Sequence, residues 1–192
     1  MQTMSAVRAL TFEELYRQIE QLPEGITGEI VEPGVLSTMP RPGLLHERAL
    51  VHCHHDLRPF DAELRGTGWW ILREFEIRFP GGRLLVPDLA GWRVDRVAKL
   101  PNENPLTILP DWCCEVLSPS TAKKDRTKKL PVYAKAGVPW VWIVDPAART
   151  IEVFHTREER PSLFATADET ESPPLPPFEA AIDTRAWWTD AT

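Results

Sequence analysis

Two acidic residues stand alone in the most apolar stretches of the chain: Asp88 in LLVPDLAGW and Glu115 in PDWCCEVLSPST. An ionised carboxylate taken out of water without a partner is strongly disfavoured, so each must be paired, protonated or bound to a cation. A shared cation would answer for both. If the two strands are sheet neighbours, their carboxylates can converge, and carboxylate oxygens are the ligands that Mg²⁺ or Mn²⁺ prefers. The other reading is that each acid caps a loop or pairs with an arginine.

A third charged group could join them. Asp125, Lys129 and Tyr133 are spaced i, i+4, i+8, so they lie close to one face of a helix that follows the Glu115 strand. A lysine returning from that face could reach the same carboxylates. Pro131 makes the alignment approximate, because it removes a backbone donor and either kinks the helix or starts a new one near Lys129. The surrounding segment AKKDRTKK carries four lysines and one arginine against one aspartate, the one strong concentration of positive charge in the sequence. Taken alone it reads as a solvated helix face.

The run HERALVHCHHD raises a competing chemistry, a zinc site built from His46, His52, Cys53, His54, His55 and Asp56. On a helix only pairs such as His52 with Asp56 or His55 share a face, and no second Cys or His cluster completes four ligands. A largely solvated, partly buried helix is the expectation. Cys113 and Cys114 are neighbours on a strand and point to opposite faces, with Cys53 far away in sequence, so no disulfide is expected. Trp140 and Trp142 alternate on an apolar strand and read as packing residues.

These residues need elements to position them, and the order is alternating. TFEELYRQIEQL opens with Thr11 as N-cap and Glu14 three residues later, a capping box ahead of a short helix. GEIVEPGVLSTMP reads as two short strands around a Pro-Gly turn, and LLHERALVHCHHDLRPFDAEL as a second helix with an interruption at Pro59. WWILREFEIRF and GRLLVPDLAGWRV follow as a hairpin or meander turned by Gly81-Gly82. The Glu115 strand, a helix from about Thr121 to Ala136 ended by Gly137, and the strand WVWIVD form a βαβ unit, which implies a parallel pair. TIEVFHT and SLFATA read as edge strands. The fold class expected is α/β or α+β, a mixed sheet flanked by helices.

At 192 residues and 43% hydrophobic content the chain can bury one sizeable core. The expected organisation is a single domain over residues 1–170, then a Pro-rich connector and terminal segment over 171–192 that docks two tryptophans on the same domain. No apolar run approaches the roughly 18 to 20 residues of a membrane span, and MQTMSAVRALTFEE lacks a signal-peptide pattern, so a soluble cytoplasmic protein with no membrane partner is expected. A net charge of −6 argues against nonspecific coating of nucleic acid, without excluding a local basic patch.

LLVPDLAGW, PDWCCEVLSPST, DRTKKLPVYAKAGVPWVWIVDP, GEIVEPG and LLHERAL together resemble the motif series of the Uma2 family, also called DUF820. That family is grouped with the restriction-endonuclease-like proteins of the PD-(D/E)XK nuclease superfamily. The resemblance runs from about Thr11 to His155. It implies a restriction-endonuclease-like mixed sheet and metal-dependent hydrolysis of phosphodiester bonds, with DNA as partner and Mg²⁺ or Mn²⁺ as cofactor. No small-molecule cofactor is implied.

Residue by residue, the resemblance implies that Asp88 is the aspartate of the PD motif and Glu115 the acid of the second motif. The superfamily places a lysine two residues beyond that acid, where this chain has Leu117. Lys129 is similar to the lysine the family retains and is the candidate for a migrated catalytic ammonium. Asp88, Glu115, the Val116 carbonyl and Glu29 would hold the metal. His46, Asp125 and Tyr133 are accessory candidates, and Lys123, Lys124, Arg126 and Lys128 candidates for phosphate contacts. The alternative is a noncatalytic protein of the same fold that binds nucleic acid or a partner protein. A homodimer is expected on the ground that double-strand cleavage by nucleases commonly pairs two sites about a two-fold axis.

Overall fold

The computed structural model describes residues 9–40, 42–64, 66–170, 173–179 and 181–188. The first eight residues of the signal-peptide reading, parts of the Pro-rich connector and the last four residues lie outside the described residues. The capping box at Thr11 is formed, with Thr11 Oγ1 accepting from the Glu14 N–H and the Glu14 carboxylate from the Thr11 N–H. It starts α1 (Phe12–Ile19), whose buried Leu15 and Ile19 face β1 (Ile26–Glu29). β1 pairs antiparallel with β2 (Ser37–Pro40) in a small sheet of its own, with Glu29 opposite Ser37. The first α2 helix residue is Leu44 and the last Asp56, short of the expected run; Arg58–Phe60 continue as a 3₁₀ turn around Pro59.

WWILREFEIRF is not one strand. β3 (Trp69–Arg73) pairs with β6 (Leu89–Arg93), whereas β4 (Ile77–Phe79) leaves the sheet and pairs with β5 (Arg83–Leu85) through the Gly81-Gly82 turn. Glu74, with φ 48°, makes the corner between them. The main sheet has the order β10-β9-β8-β7-β6-β3, with β7 (Trp112–Val116), β8 (Trp140–Asp145), β9 (Thr150–Arg157) and β10 (Arg160–Asp168). β7 and β8 are parallel, as the βαβ pattern predicts, and the other pairs are antiparallel. β9 is an interior strand and not an edge: β10 folds back onto it through Glu158 and Glu159, both at positive φ.

The crossover from β7 to β8 has three parts. α3 (Ala122–Lys124) leads into a π-helical turn over Asp125–Lys129, in which the Leu130 N–H reaches the Asp125 carbonyl, and α4 (Leu130–Ala136) completes it. Pro131 explains the irregularity: in a regular α-helix its ring presses on the carbonyl four residues back, and the wider π turn makes room. Gly137 ends α4 at φ 87°, a left-handed cap that suits glycine.

Side chains alternate across β7 and sort the core into two layers. Trp112, Cys114 and Val116 pack with α2 residues Ala49, Leu50 and Cys53 and with Phe178, Trp187 and Trp188 from late in the chain. Cys113 faces the other layer, with Leu130 and Tyr133 from the crossover helix. All three cysteines are buried free thiols. Glu115 shares the crossover face with Cys113, which is why a carboxylate in that strand points at the helix carrying Lys129.

Candidate active site

Asp88 is not inside a strand, as its apolar surroundings suggested, but on the bend immediately before β6. Leu89 pairs with Cys114, so the register sets Asp88 level with Glu115 on the neighbouring strand. The Val116 N–H donates to Asp88 Oδ2 at 2.7 Å, tying the bend to the end of β7. The other oxygen, Oδ1, lies 3.1 Å from His46 Nε2. His46 is therefore at the site, delivered by the first turn of α2.

Glu115 is almost fully buried, and both of its oxygens are engaged. Lys129 Nζ lies 2.7 Å from Oε1 and donates to Oε2 at 2.8 Å, and Tyr133 Oη donates to Oε1. Lys129 also lies 2.9 Å from Glu29 Oε1 and 3.8 Å from Asp125 Oδ1. The spacing Asp125, Lys129, Tyr133 thus presents one face, and the π turn helps it do so. An α-helix overshoots a full circle by about 40° every four residues. The wider π turn undershoots, so the drift from Asp125 to Lys129 opposes the drift from Lys129 to Tyr133.

Asp88, Glu115, Val116, Asp125, Lys129 and His46 line one pocket of about 60 Å³. Glu29 and Tyr133 stand behind it. Glu29 is fully buried, accepts the Val86 N–H at 2.9 Å and has Lys124 Nζ 2.7 Å from its Oε2. Arg126 pairs with Glu152 and Asp145, and Lys128 with Glu32, so three of the four basic residues proposed for phosphate carry carboxylate partners. Lys123 is exposed. Of the zinc candidates only His46 joins the pocket. Glu74, unmarked by any glycine or proline beside it, lines the pocket from its left-handed corner, and no feature of the string singled it out.

Acids outnumber bases here: Glu29, Asp88, Glu115 and Asp125 bring four carboxyl groups together with the ammoniums of Lys124 and Lys129, before His46 is counted. Burial pushes the Glu115 carboxyl well above its ordinary range against the pull of Lys129, and repulsion from Asp125, Asp88 and Glu29 adds to it. Burial pushes Glu29 up as well, but Lys129, Lys124 and the Val86 N–H outweigh it and hold its pKa below the usual value. Burial opposes a charge on His46, yet its bond to Asp88 and the nearby carboxylates lift its pKa above 6.5.

Among the described residues no three His, Cys, Asp or Glu side chains gather as a metal-binding group. The pocket nevertheless has the donor chemistry of a hard divalent cation: the Asp88 carboxyl at the bend before β6, the Glu115 carboxyl on β7, the backbone at Val116, and more acids than bases. Mg²⁺ commonly takes one or two protein carboxylates and completes its shell with water and substrate phosphate, so these residues fit such an ion.

A mixed sheet with Asp88 at the entrance to β6 beside Glu115 on β7, and a lysine-bearing crossover helix, defines a restriction-endonuclease-like fold. A crystal structure of "a putative nuclease belonging to DUF820 from Anabaena variabilis ATCC 29413" has this fold, with a TM-score of 0.72 over 94% of this chain and 99% of that one at 23% identity. No curated protein matches the chain. The family model described as "Uma2: Putative restriction endonuclease" matches residues 12–185. The chain belongs to the Uma2 family.

Proposed function

We propose that the protein is a divalent-metal-dependent endodeoxyribonuclease. The observation that supports this most is the meeting of Asp88, Glu115 and Lys129 in one pocket. Asp88, Glu115 and the Val116 carbonyl would hold Mg²⁺ or Mn²⁺, which when bound makes water a better nucleophile and stabilises charge on phosphate. Lys129, whose ammonium is held charged by Glu115 and Glu29 despite its burial, sets a fixed positive charge beside the position where negative charge grows during hydrolysis. In that reaction a water oxygen bonds to phosphorus and gives up one proton to solvent, the bond to the leaving oxygen breaks, and that oxygen takes up a proton from solvent. Tyr133 keeps the Glu115 carboxylate from rotating, and Asp125 adds a third, more distant pull on Lys129. Lys123, which is exposed, would meet backbone phosphate first, and Lys124, Arg126 and Lys128 would exchange carboxylate for phosphate partners.

Plasmid nicking and cleavage of labelled single- and double-stranded DNA and RNA, with Mg²⁺ or Mn²⁺, test this reading. The expected result is metal-dependent cleavage of DNA that Asp88→Asn and Lys129→Ala each lower by about 10²-fold or more. Wild-type protein that binds DNA but cleaves nothing under any divalent ion would make it a binding module.

A further inference from the structure

We propose that Glu29 is a positioning residue: it fixes the Lys129 ammonium against Glu115 and is not a ligand of the cation the site would hold. The proposal rests on the nuclease reading only for its kinetic consequence.

The geometry carries it. Glu29 is fully buried and is not part of the pocket wall. Its Oε1 is shared between Lys129 Nζ at 2.9 Å and the Val86 N–H at 2.9 Å, and its Oε2 faces Lys124 Nζ at 2.7 Å. Both oxygens are thus turned to lysines and backbone, and, unlike the engaged carboxyl of Glu115, Glu29 does not border the pocket. An ammonium has three N–H donors. Around Lys129, Glu115 and Glu29 pull from two sides, and the Val86 carbonyl at 3.5 Å makes a long third contact that a substrate oxygen could replace. With Glu115 as its only close partner, the flexible lysine stem would follow the Glu115 carboxylate and lose its fixed place.

Glu29 is itself held rigidly. At the neighbouring Gly28 a Cβ would lie 2.7 Å from Ile19, so β1 is pressed directly onto α1. On its other side Ile30 exchanges hydrogen bonds with Leu84 at 2.8 and 3.1 Å. A carboxylate on so constrained a backbone can act as a fixed anchor. Lys129 and Lys124 supply the opposite charge that surrounds it.

Glu29→Gln separates the two roles, since it keeps the acceptor for Val86 and loses the charge. Mn²⁺ affinity of the folded variant, measured by calorimetry, should stay within about twofold of wild type, while kcat at saturating Mn²⁺ falls by up to about 10²-fold with KM little changed. In protein carrying ¹⁵N-lysine, the slowly exchanging Lys129 ammonium signal of the wild type should broaden or vanish in the variant. That readout needs no activity, so it decides the proposal even if the wild type cleaves nothing. A loss of Mn²⁺ affinity of about tenfold or more would make Glu29 a ligand and overturn the proposal, as would an unchanged ammonium signal. If Glu29→Gln folds poorly, Glu29→Asp keeps the charge and withdraws it by one methylene. It must then show the same broadening, and a wild-type signal would overturn the proposal.

Discussion

Lys129 holds its place because three carboxylates surround it, and each of them would be costly to bury without it. The linkage gives a pH prediction at Glu29. Its folded-state pKa lies below the ordinary 4.5, so the stability it contributes is complete above about pH 4.5 and is lost as pH falls through the lower folded value. Wild-type protein should therefore lose stability more steeply than Glu29→Gln below about pH 4.5, measured by urea unfolding across an acid series. Asp88, Glu115 and Lys129 were legible in the sequence because isolated acids in apolar runs and a spaced lysine are unusual. The partners of the basic cluster were not: Lys128 meets Glu32 from 96 positions away and Arg126 meets Glu152 from 26 away, so the charge run alone looked free. Glu29 entered only through the family resemblance, as a metal-ligand candidate, and its engagement with two lysines depends on where β1 docks.

At the scale of elements, the punctuation of the sequence marks ends better than it marks breaks. Gly137 was readable as the stop of the crossover helix, and its role is testable. A Cβ there would meet nothing within 4 Å, so Gly137→Ala carries only the cost of the left-handed backbone at φ 87°. That cost is about 1 kcal/mol, and the melting temperature should drop by roughly 2–4 °C in calorimetry. The capping box at Thr11 and Glu14 was equally plain. The corner at Glu74 was hidden, because a non-glycine residue turns the chain and the flanking strands are both apolar. The interior place of β9 was hidden too: its alternation suits an edge strand as well as a strand covered by β10, and only pairing decides. Pro131 announced an irregularity without saying of what kind, and a π turn is the form in which Asp125, Lys129 and Tyr133 all stay on the site face.

At the scale of the whole molecule, the family match and the mixed sheet follow motifs spread along most of the chain. The net charge of −6 limits how the protein could hold a nucleic acid. If Lys123, Lys124, Arg126 and Lys128 are its phosphate contacts, the slope of log K against log salt should be about −3 to −4, measured by fluorescence anisotropy on a DNA duplex. A much steeper slope would require a basic surface elsewhere. Late residues of the chain reach deep into the core. Trp187 Nε1 donates to Asp56 Oδ2 at 2.8 Å across 131 positions, Trp142 Nε1 donates to the Pro176 carbonyl at 2.6 Å, and Phe178 packs on Trp112. This has a bearing on how the protein comes off the ribosome. On the side of the sheet with Trp112 and Trp142, the part that α2 does not cover is synthesised well before Phe178, Trp187 and Trp188, so the nascent chain carries an open aromatic surface there until the segment near Trp187 has emerged. Final closure is then a late, long-range event, and a stall in translation between Asp168 and Trp187 would leave a chain prone to aggregate although every strand of its sheet had already been made.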